Sequence, residues 1–75
     1  MTQRVEFFKQ EGFYRVEING SYAGRVRRVE DWTVRGTRVR WEALTRRGVF
    51  LGDGPTRKQA VQWLAVRQAA ANTTP

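Results

Sequence analysis

The stretch Phe13-Tyr14-Arg15-Val16-Glu17-Ile18-Asn19-Gly20-Ser21-Tyr22-Ala23-Gly24-Arg25-Val26-Arg27 decides the fold. Its first six residues alternate, with Tyr14, Val16 and Ile18 on one side and Phe13, Arg15 and Glu17 on the other. A period of two belongs to a strand with one buried face. Asn19-Gly20 then supplies two residues that tolerate positive φ, as the type I′ turn between antiparallel strands requires. Ser21 to Val29 is the returning strand, expected to turn Tyr22, Gly24 and Val26 to the core and Ala23, Arg25 and Arg27 outward. Arg28-Val29 breaks the alternation, which predicts a bulge or the end of the strand.

The same period extends in both directions. Upstream, Arg4 to Lys9 reads as a strand with Val5 and Phe7 on one face and Arg4, Glu6 and Phe8 on the other, and Gln10-Glu11-Gly12 is its turn. Downstream, Thr37 to Thr45 is a strand with Val39, Trp41 and Ala43 inward and Arg38, Arg40 and Glu42 outward. Glu30 to Gly36 leaves two placements open: Trp32 and Val34 extend the sheet, or Trp32 folds back over an edge of the core. Arg46-Arg47-Gly48 reads as a tight turn, and Val49-Phe50-Leu51 as a short strand ending at Gly52-Asp53-Gly54-Pro55. Thr56, with Gln59 three residues on, marks a capped helix start. Ala60, Val61, Leu64 and Gln68 then make the face that lies on the sheet, with Trp63 along its border. The expected architecture is α+β: an antiparallel meander of four to five strands with one C-terminal helix packed on one face. Residues 1–71 form a single small domain and 72–75 a disordered tail.

Composition narrows the function. A chain of 75 residues buries only about 60% of its unfolded surface. Absence of Cys removes disulfides, thiolate zinc sites and thiol chemistry, and absence of His removes the commonest general base and metal ligand. Glu30 and Asp31 are adjacent and would diverge on a strand. Gly52-Asp53-Gly54-Pro55 lacks the lysine and the length of a phosphate loop. The chain reads as a non-enzyme with no cofactor and no metal. No apolar run reaches the roughly 20 residues that span a bilayer, so a cytoplasmic protein with no membrane insertion is expected. Nothing specifies an oligomeric state.

The net charge of +7 favours an anionic partner. Twelve of the 14 basic residues are Arg, a bias that a genome rich in G and C would also produce, so distribution is the better guide. From Arg25 to Arg47 eight arginines stand against Glu30, Asp31 and Glu42. If strand parity holds, Arg15, Arg25, Arg27, Arg38 and Arg40 share the sheet face away from the helix. The guanidinium fork suits phosphate oxygens and guanine edges. Arg46 and Arg47 at a hairpin tip are placed to reach a flanking phosphate. Arg57 and Lys58 occupy the first helical turn, where the dipole disfavours cations and a bound anion would offset the cost. Trp41 and Trp63 are assigned to the core or its border. Phe13 and Leu44 fall on the outer face, and Phe13 and Trp32 are candidate interface aromatics.

The run from Trp41-Glu42-Ala43-Leu44 through Arg46-Arg47-Gly48-Val49-Phe50-Leu51-Gly52 into Thr56-Arg57-Lys58-Gln59-Ala60-Val61-Gln62-Trp63-Leu64 resembles the arm-type DNA-binding domains of phage and transposon tyrosine integrases. It is similar also to the plant ethylene-response-factor domains. In both, a three-stranded sheet packs on one helix and enters the major groove with Arg and Trp side chains. The resemblance covers roughly residues 36–71 and implies DNA contact by Arg25, Arg27, Arg38 and Arg40. The chain departs from that pattern in two ways: its N-terminal strands lie outside the three-stranded unit, and strand parity turns Trp41 toward the helix rather than the DNA. The expectation is a small basic nucleic-acid-binding protein, duplex DNA favoured, accessory or regulatory and without a recombinase domain. The alternative is a phage or mobile-element module that binds an acidic host protein.

Overall fold

The computed structural model describes residues 3–72; of the expected tail, 72–75, Asn72 instead ends the helix and the rest lies outside the described residues. Five strands run in chain order, β1 (Val5–Gln10), β2 (Phe13–Ile18), β3 (Ser21–Thr33), β4 (Gly36–Leu44) and β5 (Phe50–Gly54), followed by helix α1 (Arg57–Asn72). They form one antiparallel meander with the spatial order β1-β2-β3-β4-β5. Each strand thus pairs with its sequence neighbour, which needs only short turns. Asn19 and Gly20 both have positive φ, 54° and 83°, as the Asn-Gly pair predicts. Asn19 also ties down the start of β1, giving its N–H to the Arg4 carbonyl at 2.7 Å and accepting the Arg4 N–H on its side-chain oxygen at 2.9 Å.

The core lies between α1 and one sheet face. Val16, Ile18, Val26, Ala43, Ala60, Val61 and Leu64 are buried together, with Val5, Phe7, Tyr14, Trp41 and Leu51 packed around them. Thr56 caps the helix, its hydroxyl oxygen accepting the Gln59 N–H at 3.2 Å. Two glycines let the helix approach the strands. A methyl group at Gly24 would sit 2.7 Å from Leu64 Cδ2, and one at Gly52 would overlap the indole ring of Trp63. That ring also donates its Nε1–H to the Asp53 carbonyl at 3.1 Å. Among the described residues no helix is long and apolar enough to cross a membrane.

The returning strand departs from simple alternation in two ways. Val16 pairs with Gly24, but Glu17 pairs with Tyr22, so Ala23 is an extra residue in β3. This bulge reverses parity on one side of it. Tyr22, expected in the core, points to the outer face, and Ala23 packs against the core instead. Conversely, Arg28-Val29 is neither a bulge nor a strand end: β3 and β4 pair without interruption from Arg25↔Leu44 to Thr33↔Gly36. A second bulge, between Ala43↔Gly52 and Leu44↔Phe50, leaves Leu51 as the extra residue of β5.

The long β3–β4 pairing builds a projecting arm. β2 pairs with β3 only as far as Val26, and β5 pairs with β4 only from Trp41 onward. Beyond both points residues 29–33 and 36–40 have only each other, five residues each, or about 17 Å at the usual strand rise. Trp32 lies in strand, opposite Thr37, while Val34 and Arg35 form the turn.

Candidate nucleic-acid interface

Strand register places the arginines where alternation predicts. Arg15 faces Arg25 across β2–β3, and Arg25 faces Leu44 across β3–β4. Arg27, Arg38 and Arg40 continue the same face toward the arm, opposite Glu42, Asp31 and Val29 respectively. The five share the sheet face away from α1. They do not make it a cationic surface, because the same parity places Glu6, Glu17, Asp31, Glu42 and Asp53 there too.

Those acids are engaged. Arg15 pairs with Glu17 at 3.3 Å, and Arg27 Nε donates to Glu42 Oε1 at 2.6 Å. Arg40 is the centre of the larger cluster: Nε donates to Asp31 at 2.7 Å, Nη1 bonds the second Glu42 oxygen, and Asp53 lies 3.5 Å away. Glu42 is only 6% exposed. Burial pushes its carboxyl up, but hydrogen bonds from Arg40 and Arg27 outweigh that and hold it below its ordinary value. The same bonds, Asp31 first and Glu42 next, raise the Arg40 guanidinium. This charge cluster sits at the root of the arm, where β5 ends, and joins β3, β4 and β5.

The pairing identifies the unbalanced charge by subtraction. Among the described residues, Arg4, Arg15, Arg27, Arg28 and Arg40 carry all the ion pairs with acids. Arg25, Arg35, Arg38, Arg46, Arg47, Arg57 and Arg67, with Lys9 and Lys58, make none. Arg35 and Arg38 stand exposed at the end of the arm beside Trp32, which is 84% exposed, and Val34. At the other end of the same face, Arg25 donates from Nη2 to the Arg46 carbonyl at 2.9 Å and from Nε to the Tyr22 hydroxyl at 3.2 Å. Its guanidinium also lies 5.1 Å from the Phe13 ring. Arg46 and Arg47 are exposed in the adjoining turn, closed by the Gly48 N–H on the Thr45 carbonyl at 2.9 Å.

Several residues differ from expectation. Phe13 is half-buried beneath Arg25 rather than free, and Leu44, expected as an outer-face apolar, is buried. Tyr22 carries the Arg15 guanidinium 4.2 Å above its ring. At the helix start, Arg57 lies 4.1 Å from the Phe7 ring and 5.6 Å from Tyr14, attracted to aromatic faces, while Lys58 is exposed without a carboxylate partner. Glu30 and Asp31 face opposite sides of β3, and no group of three potential metal ligands occurs among the described residues. Glu42 is the residue that reading the sequence undervalued. Its signal was the i, i+2 spacing from Arg40, which puts both on one strand face. No family model, curated protein or solved structure matches this chain.

Proposed function

We propose that this chain is a cytoplasmic nucleic-acid-binding protein that engages duplex DNA with the β3–β4 arm, in an accessory rather than catalytic role. One observation carries the reading. The acids engage Arg15 and Arg27 on the sheet and Arg40 at the root of the arm, and leave Arg35 and Arg38 without ion pairs at the tip of a free ribbon. A two-stranded ribbon fits the major groove, about 12 Å wide. Entering tip-first, it brings Arg35 and Arg38 to the phosphates on the groove walls, where arginine gives bidentate bonds. Arg25, Arg46 and Arg47 supply a second cationic patch for backbone farther along.

The test is binding of the full chain to duplex DNA, single-stranded DNA and RNA across a salt series. Affinity for duplex is expected to fall with salt at a log–log slope of about −0.9 per neutralised phosphate. No binding to any of the three at low salt contradicts the reading. A second reading, docking on an acidic protein, is favoured by the exposed apolar side chains of Val49 and Phe50, which follow the Arg46-Arg47 turn, and of Trp63 and Val66 on α1. Such an interface anchored by aromatics is expected to respond little to salt.

A further inference from the structure

Trp32 is hard to account for as a folding element. It lies on β3 opposite Thr37 of β4, past the reach of β2 and β5, and it is not among the core residues or those packed against them. Among the described residues its indole has no aromatic or cation partner, whereas Tyr14 and Trp41 pack on each other and Trp63 covers Gly52. Trp32 is 84% exposed, and a large apolar ring held largely in water contributes little to folding. The turn beyond it is ordered without the ring: Thr33 donates its hydroxyl to the Gly36 carbonyl at 2.7 Å and accepts the Arg35 N–H at 3.3 Å. Trp32 is thus an aromatic surface presented on a hydrogen-bonded hairpin.

Its neighbours define what that surface suits. Arg35 follows in the turn and Arg38 sits on the strand opposite, both exposed and without carboxylate partners. Trp32 and Thr37 occupy one face of the ribbon, and Arg38 occupies the other. An aromatic face with cations beyond the tip and behind it matches a base followed by its phosphates. A paired base inside a duplex offers only its edge, so full-face stacking needs a base that is unpaired or turned out of the helix.

We infer that Trp32 stacks on an unpaired base while Arg35 and Arg38 hold the flanking phosphates, so that the preferred target is duplex DNA interrupted by an unpaired nucleotide. This rests on the arm being the nucleic-acid-binding element and specifies what the arm selects. Trp32 is exposed, so the contact needs no rearrangement of the hairpin. Discrimination among the four bases is expected to be weak, because each presents a π-face.

The experiment compares a short duplex carrying one bulged fluorescent adenine analogue with the same duplex fully paired, using the full chain and Trp32→Ala and Trp32→Phe. The wild type is expected to bind the bulged duplex about five- to a hundredfold more tightly, and to change the analogue's fluorescence on binding. Trp32→Ala is expected to lose that preference and the fluorescence change, and Trp32→Phe to retain part of both. Wild-type binding without preference for the bulge, or an unchanged preference in Trp32→Ala, overturns the inference and leaves the arm as a duplex binder. Failure of the wild type to bind either duplex overturns the arm's role as well. Trp32 is outside the core, so its replacement tests recognition rather than folding.

Discussion

Glu42 lies directly across β3–β4 from Arg27, accepts its Nε–H at 2.6 Å, and gives its other oxygen to Arg40. Both carboxylate oxygens are therefore used, which makes a buried acid tolerable on an otherwise solvated face. Glu42→Gln leaves the shape and removes the charge. Arg27 is half-exposed and Arg40 keeps Asp31, so solvent screening limits the loss to about 1–2 kcal/mol. Denaturant unfolding of the two proteins checks this.

The same carboxylate sets an acid limit. Its folded pKa lies below the ordinary value of 4.5, so its contribution is fully present above that value and lost as pH falls through the lower, folded value. The melting temperature is expected to hold from neutral pH down to the mid-fours because of this group and to drop below. In Glu42→Gln part of that acid-side slope disappears. An identical slope in the two proteins would show that other carboxylates set the limit.

Trp63 and Gly52 form the second constraint. The indole lies on the glycine and closes the outer edge of β5 by bonding the Asp53 carbonyl. Gly52→Ala places a methyl group inside the ring and is expected to cost about 1–3 kcal/mol, with the Trp63 emission shifting as the ring is displaced. Trp63→Ala is expected to expose the β5 edge and raise self-association, measurable by sedimentation.

Much of this architecture was legible from pattern alone. Asn19-Gly20, the alternation of Tyr14, Val16 and Ile18, and the Thr56 cap each rest on local chemistry, and local chemistry survives folding. What was not legible depends on pairing between strands. The Ala23 bulge turns Tyr22 outward, and nothing within Ser21–Val26 announces it, because a bulge is a relation between two strands. The expected cationic face had the correct parity for its arginines. Alternation put Glu6, Glu17 and Glu42 on that face as well; only register shows that Asp31 and Asp53 join them and which acid meets which arginine. The arm was left open in the sequence because Trp32 and Val34 alternate as in a covered strand, whereas how far β2 and β5 reach along β3 and β4 is set by pairing.

The helix start offers a simpler check on local reading. Thr56→Ala removes the acceptor for the Gln59 N–H and is expected to cost about 1 kcal/mol, while Thr56→Ser is expected to be near neutral. Thermal melts of the two variants decide this.

The central claim is that charge left unpaired at the arm, rather than charge on the sheet face, binds nucleic acid. Its most direct test is the salt slope of duplex binding for Arg35→Ala/Arg38→Ala against Arg15→Ala/Arg27→Ala. Each double variant removes the same formal charge. The account expects the arm variant to make the log–log slope shallower by about two and to weaken binding strongly, with a much smaller change in the sheet variant. Equal losses in both variants, or a larger loss in the sheet variant, would contradict it.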